Sequence, residues 1–133
     1  KACLRERQVE RLYYPVMLVM LGYLLQQVGK SSEARQLLTP FTEIYPSFPD
    51  LFFLLGLLSM DTGHVEAIRL YFSRALDIGE TDKYTSVEGV GSFKAAYNLG
   101  VFHEIMGQRD TARQYYQFSA QFHYLPAIER LKS

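Results

Sequence analysis

Few residues in this chain have types and spacings that could do chemistry. Asp61-Thr62-Gly63 carries a carboxylate in a triplet that serves hydrolysis when two copies meet on an all-β frame and share a proton, but here it falls at a helix end and turn. His103-Glu104 opens like a zinc-binding helix, yet no second histidine stands four residues after His103. His64, His103 and His123 have no carboxylate or cysteine at ligand spacing around them. Gly89-Val90-Gly91 lacks the third glycine and the preceding strand that make a phosphate cradle. Cys3 sits near the terminus with no histidine partner and reads as an incidental thiol. His103 takes a place where a core aromatic belongs, which predicts a partly buried imidazole satisfied by one hydrogen bond. No catalytic set, metal set or cofactor motif assembles, so function must be sought in the surfaces that the elements build.

Those elements repeat. Gly22 and Gly29 return as Gly56 and Gly63 and again as Gly100 and Gly107. The first interval is 34 residues (56 − 22) and the second 44 (100 − 56), a period of 34 with ten residues inserted once. A fixed period in this range marks stacked supersecondary units. In the first unit Leu18, Leu21, Gly22 and Leu25 fall at helical spacing, Gly29 interrupts, and Ala34, Leu38 and Phe41 resume it until Pro46. Phe52, Leu55, Gly56 and Ser59, then Ile68, Phe72 and Ala75, repeat the pattern, as do Ala96, Leu99, Gly100 and His103, then Ala112, Tyr116 and Ser119. Each unit is a helix, a tight turn and a second helix.

Two antiparallel helices approach to about 8–10 Å only where side chains at the crossing allow it. Gly22, Gly56 and Gly100 remove a side chain there, with Ala34 and Ala112 expected opposite them and Ile68 the bulky exception. Gly29, Gly63 and Gly107 are expected to cap the first helices in the left-handed conformation. Ser31 or Ser32, and Asp110 or Thr111, are the candidate N-caps of the second helices.

These positions resemble the tetratricopeptide repeat (TPR), a 34-residue helix-turn-helix. The resemblance implies an all-α, right-handed superhelical array with flanking end helices. Residues 1–14 form an N-terminal helix, 15–48, 49–82 and 93–124 the three repeats, 83–92 an insertion loop and 125–133 a C-terminal capping helix. The sequence departs from the family where a large early aromatic is usual, with Leu18, Phe52 and Ala96 there. It departs again at the closing proline, kept only as Pro46 and replaced by Glu80 and Tyr124.

Composition agrees with one helical domain of 133 residues, 48% apolar, with nine Phe and ten Tyr to fill a core without Trp. Fourteen basic and fourteen acidic side chains cancel, leaving no field to attract nucleic acid or an anionic membrane. A single cysteine excludes an internal disulfide framework and suits a reducing, cytoplasmic compartment. The uncharged run from Leu12 to Leu25 has 14 residues, short of the roughly 20 that a membrane span needs. The chain opens on Lys1 instead of methionine, as a piece of something longer would.

Outside the repeats, Leu4, Val9 and Leu12 form an apolar stripe among Arg5, Glu6, Arg7, Glu10 and Arg11. At the other end Pro126 opens a short helix with Ile128 and Leu131 facing inward and Glu129, Arg130 and Lys132 in water. Glycines in Gly79 to Ser92 predict a loop there. From Lys83-Tyr84-Thr85-Ser86 through Tyr97-Asn98-Leu99-Gly100 to Tyr124-Leu125-Pro126-Ala127, the last third resembles the repeat region that follows the catalytic domain of some bacterial family 2 glycosyltransferases. That resemblance implies a non-catalytic part serving oligomerisation or acceptor docking, with the Asp-x-Asp metal motif lying elsewhere.

The TPR resemblance further implies that first helices line a concave groove. Its candidate binding residues are Val19, Tyr23 and Gln26, then Phe53, Leu57 and Met60, then Tyr97, Val101 and Glu104, flanked by Lys94 and Asn98. Family members that hold a terminal carboxylate line the groove with Lys, Arg and Asn. Here Val19, Tyr23 and Leu54 take those places, leaving Lys94 and Asn98 as isolated candidates, which argues against that clamp. The expected function is a protein-interaction module. Its partner is an apolar peptide, helix or neighbouring domain, or a second copy, with no nucleic acid, membrane span, cofactor or metal.

Overall fold

A computed structural model describes the backbone of residues 2–132 and the side chains of residues 13–132. The Cys3 thiol and the Leu4–Val9–Leu12 stripe lie outside the described side chains. Seven α-helices and no strand occur among the described residues: α1 (Ala2–Gln27), α2 (Ser31–Leu38), α3 (Pro49–Thr62), α4 (Val65–Ile78), α5 (Phe93–Ile105), α6 (Arg109–Ala120) and α7 (Leu125–Lys132). They pair in sequence as α1/α2, α3/α4 and α5/α6, and each second helix packs on the next first helix.

The turns within pairs share one geometry. Gly29, Gly63 and Gly107 have φ of 82°, 75° and 80°, and the next backbone N–H reaches back five residues: Lys30 to Leu25 O at 2.8 Å, His64 to Ser59 O at 3.0 Å, Gln108 to His103 O at 2.8 Å. This closing pattern satisfies carbonyls that a helix end leaves open. It also sets the N-caps of the second helices at Lys30, His64 and Gln108, none with a side-chain cap bond. The expected serine and Asp110 or Thr111 caps are thus corrected. So tight a turn leaves a single residue between glycine and helix, and Ser31 is already helical, its hydroxyl donating to Asp61 Oδ2 at 2.8 Å.

Two boundaries differ from expectation. α1 continues unbroken through Pro15, where a new unit is expected to begin. α2 stops at Leu38 and tightens into a 3₁₀ turn, Thr39–Thr42, because Pro40 has no N–H for the next α-helical bond.

The glycine crossings also differ in detail. A Cβ on Gly22 would meet Leu38 and Leu54 at 2.6–2.7 Å, one on Gly56 the Phe72 ring at 2.7 Å, and one on Gly100 the Tyr116 ring at 2.5 Å. The partners are therefore Leu38, Phe72 and Tyr116, one helical turn beyond Ala34, Ile68 and Ala112. A large side chain lies in the notch that each glycine opens, as a ridge in a groove. Around this row the core gathers Leu51, Leu54, Leu55, Leu58, Ala75 and Leu99, all buried.

Residues 79–92 are a packed loop. Tyr84 is buried with its ring 4.6 Å from that of Phe48, Val90 is buried, and Glu80 Oε1 accepts from Gly89 N at 2.9 Å and Ser92 Oγ at 2.6 Å. Asp50, buried in the first turn of α3, accepts from the Ser86 hydroxyl and from Val87 N at 2.9 Å. Burial pushes its carboxyl above the usual carboxylate range, against the lowering pull of those two bonds. A raised folded pKa means the fold holds the proton more tightly. The stabilising contribution is present below the ordinary value of 3.8 and is lost as pH rises through the raised value. Asp50→Ala leaves the Val87 N–H unpaired and the Ser86 hydroxyl with only the Val87 carbonyl at 3.5 Å, an expected loss of about 1–3 kcal/mol. Asp50→Asn should flatten the stability profile in that acid window. Chemical denaturation across pH checks both, and an Ala variant as stable as the parent would rule out the clamp.

Candidate functional site

The three first helices carry the groove candidates, and the fold divides them into two groups. α1 packs directly on α3, whereas α5 meets the preceding pair principally through α4. Val19, Tyr23, Gln26, Phe53, Leu57 and Met60 therefore belong to one patch, and Lys94, Tyr97, Asn98, Val101 and Glu104 to another beside α7.

In the first patch Val19 and Phe53 are buried in the core cluster, with Phe53 edge-on to Phe72 at 5.4 Å between ring centroids. They hold the helices together and present little surface. Tyr23 and Leu57 are half-buried and Met60 is exposed. Burial, aided by the Asp50 charge, pushes the Tyr23 phenol up to about 12, so it stays protonated and can donate. Gln26 Nε2 donates to Asp61 Oδ2 at 3.0 Å. With the Ser31 bond, this ties the end of α3 to the α1–α2 turn. Asp61 is thus a structural acceptor, facing an amide and a hydroxyl, and no shared-proton carboxylate pair forms there.

In the second patch aromatic rings surround charge. Tyr97 lies between Tyr116 and Tyr124, at 5.7 and 5.5 Å between centroids. Glu104 Oε1 accepts from Tyr116 OH at 2.6 Å and from Arg130 at 3.3 Å. Burial first, then the Glu104 bond and charge, raises the Tyr116 phenol well above its ordinary value. Asn98 Nδ2 donates to Lys94 O, one turn back on its own helix, at 2.9 Å, and Lys94, Asn98 and Val101 are half-buried. A cavity of about 520 Å³ opens beside Glu104, lined also by Arg109, Asp110, Arg113, Tyr116 and Arg130. The sequence reading missed Tyr116, Arg109, Arg113 and Arg130. Their repeat position would assign them to second or capping helices, and the packing of α5, α6 and α7 brings them together beside Glu104.

The remaining candidates for chemistry stand apart. His103 shares a 2.5 Å hydrogen bond with Gln108 and stacks on Tyr115 at 5.4 Å, the satisfied imidazole that its position predicts. His64 Nδ1 lies 2.7 Å from Thr62 Oγ1. Among the described residues no three His, Cys, Asp or Glu side chains gather as a metal site, and no helix is long and apolar enough to cross a membrane.

No protein-family model matches the chain, and no curated protein matches its sequence. Among solved structures it is similar to the crystal structure of MamA, with a TM-score of 0.71 at 19% identity over 86% of this chain. The chain spans 62% of the MamA chain. The glycosyltransferase resemblance of the last third finds no support in these comparisons. MamA contains TPRs, and together with the three helix pairs joined by glycine turns the likeness shows the fold: an all-α, TPR-like helical-repeat array.

Proposed function

We propose that this protein is an interaction module that seats an apolar peptide or helix on its concave face. The observation that carries the reading is the row of Tyr23, Leu57 and Met60, partly exposed on neighbouring first helices while the residues beneath them are locked in the core. Apolar side chains on a rigid scaffold bind an amphipathic segment with little ordering cost on the protein side. Tyr97 and Val101 add a second patch beside α7, where Glu104 and the nearby arginines set a polar limit on the partner. The fold shared with a TPR-containing protein supports a scaffold role.

A peptide library displayed on phage and selected on this protein should enrich apolar, helix-forming sequences. Their affinity should fall at least about tenfold in Leu57→Asp/Met60→Asp, the expected loss when a charge enters an apolar contact, while circular dichroism stays unchanged. Phe53 is not a fair target, because a charge beside Phe72 would disturb the core. Selected peptides that bind the double variant as well as the parent would remove the groove from the binding surface.

A further inference from the structure

From Tyr13 onward the outer face of α1 is apolar and exposed. Tyr13, Met17, Met20, Leu21, Leu24 and Val28 are all exposed, and Tyr13, Met17, Met20 and Leu24 follow one another at four, three and four residues, the spacing of a helix-pairing seam. Repeat symmetry gives this face its meaning. Met17, Leu21 and Leu24 are 63%, 44% and 59% exposed, whereas their equivalents Leu51, Leu55 and Leu58 on α3 are 2%, 0% and 0% exposed, and Ala95 and Leu99 on α5 are fully buried. α3 and α5 each pack against the preceding second helix, α2 or α4. The face on α1 is the repeat equivalent of those buried surfaces and is exposed in the 133-residue chain.

We propose that a second copy of this chain covers it, α1 against α1 in antiparallel, two-fold fashion. A head-to-tail stack would need the outer face of α6, but α7 already packs there with Ala127 fully buried. A two-fold contact needs only the stripe itself. The stripe is self-complementary in charge, since no Asp, Glu, Lys or Arg occurs from Leu12 to Gln27, so pairing juxtaposes no like charges. From the fractional exposures, the six side chains offer roughly 600 Å² per copy, so two copies cover on the order of 1,200 Å², the lower bound of specific interfaces. Two methionines let the seam adjust its packing.

Sedimentation velocity of the 133-residue chain over a range of concentrations tests this. A dimer is expected, and Met17→Asp/Leu24→Asp should weaken it by roughly 30-fold or more, the effect of placing charge in a dry apolar seam. Both residues are exposed in the single chain, so helicity should hold. Disulfide trapping supplies an arm that does not depend on that variant. In a Cys3→Ser background, Met20→Cys lies near the midpoint of the stripe and meets its own copy across the two-fold axis. Val28→Cys would stand roughly 24 Å from its copy in that arrangement. Met20→Cys should therefore cross-link at least tenfold faster. A chain that stays monomeric throughout, a dimer indifferent to the double Asp variant, or equal trapping at residues 20 and 28 would each overturn the proposal.

Discussion

Gly91→Ala is expected to unfold at a temperature lower by about 10 °C or more, a loss of about 3 kcal/mol for a domain of this size. The added Cβ would lie 2.1 Å from the carbonyl oxygen of Gly79, 2.3 Å from its carbon and 2.9 Å from the nitrogen of Glu80. All three are backbone atoms, so no rotamer change relieves the contact. The only escape is to separate the two ends of the loop. Those ends are tied, since Glu80 is bonded to Gly89 and Ser92, and Val90 beside Gly91 is buried. Thermal melting monitored at 222 nm gives the stability directly. A Gly91→Ala melt within about 2 °C of the parent, less than 1 kcal/mol on this scale, would mean that the chain does not cross itself there.

Gly56→Leu should cost roughly 1–3 kcal/mol, and more if Phe72 cannot leave its site. A Cβ at this position meets three atoms of the Phe72 ring at 2.7–2.8 Å. Unlike the Gly91 contact, this one is with a side chain, so it admits a compensating change. Phe72→Leu alone opens a cavity and destabilises. Combined with Gly56→Ala, it makes room for the methyl group. The double variant should lose less than the sum of the two single losses, by about 1 kcal/mol of coupling. Strict additivity in urea denaturation would place the glycine away from that ring.

Much of the array could be read from the residues alone. Apolar periodicity, interrupted by three glycines that can take positive φ, predicts every helix–turn–helix unit, because both signals are local to a few residues of backbone. Glycines in residues 79–92 likewise predict a loop, and the imidazole of His103 is satisfied as its core position predicts. The groove candidates were legible only as helix faces. A face says which way a side chain points relative to its own helix, but whether it is covered depends on what packs above it. Val19 and Phe53 sank into the core for that reason, while Leu21 stayed exposed although Leu55 and Leu99, at the same repeat position, are fully buried.

By itself the sequence determined the number of helix pairs, their turns and the places where helices come close, since these follow from spacing and from the conformational freedom of glycine. Only the tertiary structure decided that Leu38, Phe72 and Tyr116 fill the glycine notches. The same is true of the buried Asp50 that holds the loop through Ser86 and Val87, and of Gly91, whose small size lets the Gly79 backbone pass. These contacts join residues from 12 to 37 positions apart. At such separations the relative placement of rigid helices selects the partner, and helix placement is a property of the whole packed core.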